Sequence, residues 1–190
     1  LDFPSLEEYV LANWHPIHPN SLNEDGWTLG NQGTENLLKK LQNAGQSLKE
    51  YVNGEILYGI KTGLNKAFVI DEQTKNELIN EDPKSAELIK PFLVGKDIKR
   101  YKTPTREKYI ILIPKGWTNA HSSDFKNKWK WLKETYPVIA NHLEPFTNDG
   151  EIRFDKGDHW SNLRNCAYLK DFEKEKIIWG EISDKPKFAY

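Results

Sequence analysis

Tyr58-Gly59-Ile60-Lys61-Thr62-Gly63-Leu64-Asn65-Lys66-Ala67-Phe68-Val69-Ile70 sets two apolar runs on either side of a polar turn. Ile56-Leu57-Tyr58-Gly59-Ile60 and Ala67-Phe68-Val69-Ile70 are short and rich in branched and aromatic residues, so both read as strands. Lys61 to Lys66 is the turn between them. Gly59 and Gly63 let the backbone bend sharply and approach another surface. Lys61, Thr62, Asn65 and Lys66 then project from the bend.

Downstream, helical and strand signals mix. Asp71 caps a helix through about Asn80, and Asp82-Pro83 opens another that carries Leu88 and Ile89 and stops near Pro91. Gly95 marks a turn, and Lys108 to Ile113 is a strand ended by Pro114-Lys115-Gly116. A helix starting at Ser123 or Asp124 carries Phe125 to Lys133, and Pro137 begins a second piece through Leu143. The pair makes a helical hairpin or one helix kinked at the proline. A loop rich in Gly and Asp follows, then strands at Ala167 to Leu169 and Lys176 to Ile182. Upstream, Ser5 caps a helix from Leu6 to Trp14, which ends at His15-Pro16-Ile17-His18-Pro19-Asn20. Thr34 to Asn43 is a helix with Leu37, Leu38 and Leu41 on one face and Gly45 to close it; Leu48 to Leu57 is ambiguous. The class is α+β. Residues 1–30 read as an arm or linker from a preceding domain, and 31–190 as one domain.

The chain starts at Leu1, contains no Met and ends Pro186-Lys187-Phe188-Ala189-Tyr190, so we expect a fragment that is truncated at its C-terminus. No apolar run reaches transmembrane length, and no signal peptide opens the chain. The single cysteine, Cys166, reads as a buried small apolar residue and suits a reducing cytoplasm. The net charge is only −1, but it is unevenly spread. Residues 1–35 hold six acids and no Lys or Arg, while residues 90–133 hold twelve Lys/Arg and three Asp/Glu. A basic segment of this kind supplies a phosphate-contacting surface, or else it is a solvated face balanced by acids nearby in space.

Catalytic signals are missing. A methyltransferase needs a glycine-rich loop and an N/D/S-P-P-aromatic loop; the chain has neither a G-x-G nor a Pro-Pro pair. A metal-dependent nuclease needs a carboxylate cluster with a lysine. Asp82-Pro83-Lys84, Asp97-Ile98-Lys99 and Asp124-Phe125-Lys126 offer acid-x-Lys triplets, but roughly three arise by chance in such a composition. His15 and His18 lack further zinc ligands in sequence. His159 beside Trp160 reads as a polar partner rather than a base. We therefore expect no catalytic residue, no metal and no cofactor in this chain.

Five blocks carry a family resemblance. Gly59 to Ile70 closely resembles G-I-x-T-G-x-N-x-A-F-x-I, and Ile89-Lys90-Pro91-Phe92-Leu93-Val94-Gly95-Lys96-Asp97-Ile98-Lys99-Arg100-Tyr101 resembles I-x-P-F-L-x-G-x-D-I-x-R-Y. Tyr136-Pro137 with His142-Leu143, Trp160 with Leu163-Arg164, and Lys176-Ile177-Ile178 through Glu181-Ile182-Ser183 follow in order. The pattern is similar to that of TaqI-like specificity domains of Type II and Type IIG adenine methyltransferases of restriction–modification systems. The resemblance implies wound β-strands followed by a helical part, and sequence-specific recognition of double-stranded DNA. It also implies a parent enzyme whose catalytic domain is the partner of this one and uses S-adenosylmethionine to methylate adenine N6, with or without a fused endonuclease.

Against that background, Lys61, Asn65, Lys66, Lys96, Lys99, Arg100, Lys102 and Arg164 are the DNA-binding candidates. Gly59, Thr62 and Gly63 suit a structural turn, with Thr62 and Asn65 also able to cap it internally. Arg100 either reads guanine or pairs with a carboxylate such as Asp97; Arg164 either grips phosphate or makes a structural ion pair. Pro91, Phe92, Leu93, Ile98 and Trp160 suit the core. Lys126, Lys128, Lys130 and Lys133 either lie along phosphates or form a solvated helix face. The rival readings are a cryptic metal-dependent nuclease and a protein-interaction module.

Overall fold

The computed structural model describes residues 5–17, 19, 22, 31–122, 127–180, 185 and 187–190. The chain forms two compact units, Leu1–Tyr58 and Gly59–Tyr190.

The first unit is helical. Helix α1 (Leu6–Asn13) starts where Ser5 Oγ accepts the Glu8 N–H at 3.3 Å and Glu8 returns a bond to Ser5 N. Helix α2 (Gln32–Ala44) begins two residues before the expected Thr34, because the Asn31 side chain caps it through Thr34 N at 2.9 Å. Gly45 ends it in extended geometry, φ −128°, not as a left-handed cap. Helix α3 (Leu48–Tyr51) resolves the ambiguous stretch with a second Ser–Glu box, Ser47 with Glu50.

The second unit mixes helix and sheet, in line with the α+β expectation. Ile56 to Ile60 forms no strand among the described residues; the Ile56 N–H instead donates to the Gly54 carbonyl at 2.8 Å. The second predicted strand is also shifted. Asn65–Phe68 is one helical turn, α4, and pairing begins only at β1 (Val69–Asp71). Asp71 then caps α5 (Glu72–Glu81) through Thr74 N at 2.8 Å. Asp82 caps a short 3-10 helix, Pro83–Glu87, through Lys84 N at 3.0 Å. That helix stops earlier than expected. Ile89–Phe92 is strand β2, because Pro91 steers the residue before it out of helical geometry. Strand β3 (Lys108–Ile111) lies between the two in an antiparallel sheet of order β1-β3-β2, which puts Pro91 on an edge strand where its missing N–H is tolerated.

Ile110 and Ile111 are successive on β3 and both buried, so both faces of the sheet are covered there. Helix α6 (Trp117–His121) follows, and then α7 (Lys128–Thr135) and α8 (Pro137–Leu143), which meet at Tyr136. The expected helix start at Ser123 or Asp124 lies outside the described residues. Asn127 caps α7 through Lys130 N at 3.0 Å. The core joins the sheet to this helical layer: Phe68, Ile110, Ile113, Leu132, Ile139, Leu143 and Leu163 are almost wholly buried. The Tyr136 hydroxyl donates to Glu87 at 2.6 Å, and burial with that carboxylate pushes its pKa up to about 12.

The Gly- and Asp-rich segment is helical in its first part only; residues 153–166 are turns and loop, as expected. A 3-10 turn at Glu144–Phe146 runs into α9 (Thr147–Ile152). Gly150 is tolerated there because Trp160 lies on it; a Cβ would sit 2.6 Å from Trp160 Cε3. Ala167 to Leu169 is no strand, and Leu169–Glu173 is a 3-10 helix. Cys166 is half-buried rather than buried. Strand β4 (Ile178–Trp179) pairs antiparallel with β5 (Phe188–Ala189). Among the described residues no helix is long and apolar enough to cross a membrane.

Candidate nucleic-acid interface

The candidate residues fall into two groups. The first surrounds Gly63, whose φ of +73° only glycine adopts without strain. A Cβ there would lie 2.7 Å from both Arg153 Nη1 and Asp155 Oδ1. Thr62 is buried; its hydroxyl donates to Asn65 Oδ1 at 2.5 Å and accepts the Leu64 N–H at 3.1 Å. Thr62 and Asn65 therefore close the turn internally. Gly59 has no positive φ and faces open space, so nothing around it demands a glycine. Lys61 is exposed beside the turn, and Lys66 pairs with Asp149. Arg164 Nε lies 3.5 Å from Asp155 Oδ2 with half its side chain in solvent, which makes it a surface ion pair.

Arg153 holds this group together, and the sequence reading passed over it. Its guanidinium donates to the carbonyls of Thr62 (2.6 Å), Trp160 (2.8 Å) and Asn162. It also lies over the Phe68 ring, 5.2 Å from the centroid. Its Nε is buried with no acceptor. Burial draws its pKa below the ordinary arginine value, against the opposing pull of Asp155. The sequence offered no local signal, because the Thr62 contact spans 91 positions.

The second group is cationic. Gly95–Asp97 is a 3-10 turn held by Asp97, whose carboxylate accepts Val94 N–H at 3.1 Å and Lys108 Nζ at 3.2 Å. Burial raises the Asp97 pKa, but the Val94 N–H and Lys108 outweigh it and leave the carboxyl below its usual value. Asp97 is thus committed to Lys108, and Arg100 turns elsewhere. Arg100 Nη2 donates to the Tyr101 hydroxyl at 3.2 Å, and its guanidinium lies 4.8 Å from that ring's centroid. Tyr101 has a left-handed φ of +57° and is 86% exposed. Ile98 is buried and anchors the turn. Gly95 meets the C-terminal segment closely: a Cβ on it would lie 3.5 Å from Gly180 Cα.

Between these two segments opens a cavity of about 310 Å³, lined by Lys96, Ile98, Lys99, Arg100, Lys185 and Lys187. Five of its six lining residues are cations and none is an acid. Lys185 and Lys187 went unrecognised from the sequence, because their neighbours in space are some 85 positions away in the chain. Lys102 is exposed on the same loop but does not line the cavity. The lysines of α7 are largely balanced: Lys130 faces Glu134 at 3.8 Å and Lys133 bonds Glu144 at 2.5 Å, while Lys126 lies outside the described residues.

His159 is enclosed rather than poised for catalysis. Its Nδ1 lies 2.7 Å from Ser161 Oγ and its ring stacks beside Trp129. Burial, aided by Lys128 and Lys156, lowers its pKa to about 4. Trp160 is buried as a packing anchor, tilted against Trp129 at 4.6 Å. Among the described residues no three His, Cys, Asp or Glu side chains are grouped to hold a metal ion.

A family model for the TaqI-like C-terminal specificity domain matches residues 90–190. No curated protein matches the chain.

Proposed function

The chain belongs to the TaqI-like C-terminal specificity domains, and from that membership we propose how it serves a larger enzyme. Its role is that of a sequence-specific DNA recognition domain of a restriction–modification system. The observation that carries this reading is that the matched stretch, 90–190, contains every residue lining the cationic cavity. A concave site with five positive charges meets the first demand of nucleic-acid binding, which is phosphate neutralisation.

In our reading the partner is double-stranded DNA, and residues 31–190 are the recognition part behind an arm of residues 1–30. The fold is a specificity-domain one, with wound strands and α7 and α8 as its helical hairpin. The domain sits opposite a catalytic methyltransferase domain of the same parent chain, in the cytoplasm. That domain binds S-adenosylmethionine and methylates adenine N6, while this one holds the duplex as the base is extracted. Fluorescence anisotropy on a labelled random duplex at low salt tests the DNA reading. Binding that weakens steeply with added salt is expected. No binding at high micromolar protein overturns it.

A further inference from the structure

We infer that the cavity lined by Lys96, Lys99, Arg100, Lys185 and Lys187 is a clamp for a backbone phosphate of the duplex, giving affinity and register but not sequence choice. The inference rests on the DNA reading above and assigns a chemical group to one part of the surface. Like charges repel, yet two segments some 85 positions apart bring five cations around one space. The buried Ile98 anchors one segment, Gly95 lies in contact range of Gly180, and the pairing of β4 with β5 brackets the other segment. Among the described residues no carboxylate makes a salt bridge with Lys96 or Lys99; the nearest acid in sequence, Asp97, is hydrogen-bonded to Val94 and Lys108 and attracts Lys96 only at longer range.

The ligand is therefore an anion, and the types of donor point to phosphate. Four of the five cations are lysines, which bind phosphate as point charges and lack the planar fork that reads guanine. The fifth, Arg100, has one nitrogen and one face engaged by Tyr101. Contacts of this kind position a duplex without reading it.

The test uses the full chain and two variants, Lys96→Gln/Lys99→Gln/Arg100→Gln and, independently, Lys185→Gln/Lys187→Gln. The mutated side chains of the first are exposed, and an unchanged melting temperature confirms folding. Binding to random duplex and to the chain's preferred duplex is measured from 50 to 200 mM salt. Losing the one clamped phosphate lowers the slope of log K against log salt by about 0.9, so the wild-type advantage shrinks about 3.5-fold across that range. The ratio of preferred to random affinity stays constant. An unchanged slope overturns the clamp, as does a collapse of that ratio, which would mean base reading. Inorganic phosphate supplies the other arm. If it perturbs the NMR signals of Lys99 and Arg100 while duplex affinity is the same in variant and wild type, the cavity is a small-anion site and the proposal fails. Sequence preference with an unchanged slope sinks the clamp alone. Equal affinity for all duplexes, with a reduced slope in the variants, sinks the sequence-specific reading alone. No duplex binding by the wild type sinks both.

Discussion

Arg153→Lys isolates the contact that ties the Gly59–Phe68 segment to the rest of its unit. The guanidinium bridges three carbonyls, those of Thr62, Trp160 and Asn162, and an ammonium cannot span all three. Each charge-assisted bond is worth about 1.5–3 kcal/mol. Losing one or two of them, with a carbonyl left without its donor, costs about 3 kcal/mol. For a chain of this size that lowers Tm by about 6–12 °C. Thermal unfolding followed by tryptophan emission reads it, because Trp160 is buried and becomes exposed on unfolding. Arg164→Gln serves as the comparison: its ion pair with Asp155 is half-exposed, so the loss stays under about 1 kcal/mol. A Tm for Arg153→Lys within about 2 °C of wild type refutes the bridging role of Arg153, since it would mean the three bonds carry little net energy.

Gly63→Ala forces a side chain into a left-handed residue and against Arg153 and Asp155, and should cost about 1–3 kcal/mol in a urea titration. Stability should fall as pH drops from the ordinary histidine value of 6.5 toward about 4. The buried His159 resists protonation in the folded state, so the unfolded chain takes up more protons in that window. His142, lowered in the same direction by burial, adds to the slope, and His159→Gln should flatten it. The depressed carboxylates Asp71 and Asp97 act separately: their stabilisation is present above 3.8 and is lost only below it. Tyr101→Gly should leave Tm unchanged or slightly raised, because it relieves φ +57°. It should nevertheless weaken duplex binding by removing the platform under Arg100, as anisotropy would show.

What the sequence made legible was local. Asp71, Asp82-Pro83 and Ser5 sit within three residues of the N–H groups they cap, so their patterns carry the helix starts directly. Features decided at a distance were opaque. Ile56 to Ile60 has strand composition but pairs with no strand among the described residues, while Gly150 sits in a helix because Trp160 occupies the space its side chain would need. The cationic segment 90–133 was visible as charge, but only folding separates it. Lys108, Lys130 and Lys133 pair with acids, whereas Lys96, Lys99 and Arg100 line a cavity that Lys185 and Lys187 also border. Asn65 and Arg164, both DNA candidates by residue type, are engaged within the fold by Thr62 and Asp155.

Selection from a random duplex library with the 190-residue chain bears most directly on sequence-specific DNA recognition. Successive rounds at low salt should enrich one short motif, which the chain then prefers over random duplex by about 10³-fold or more. A retained pool whose sequences match the starting library would contradict it.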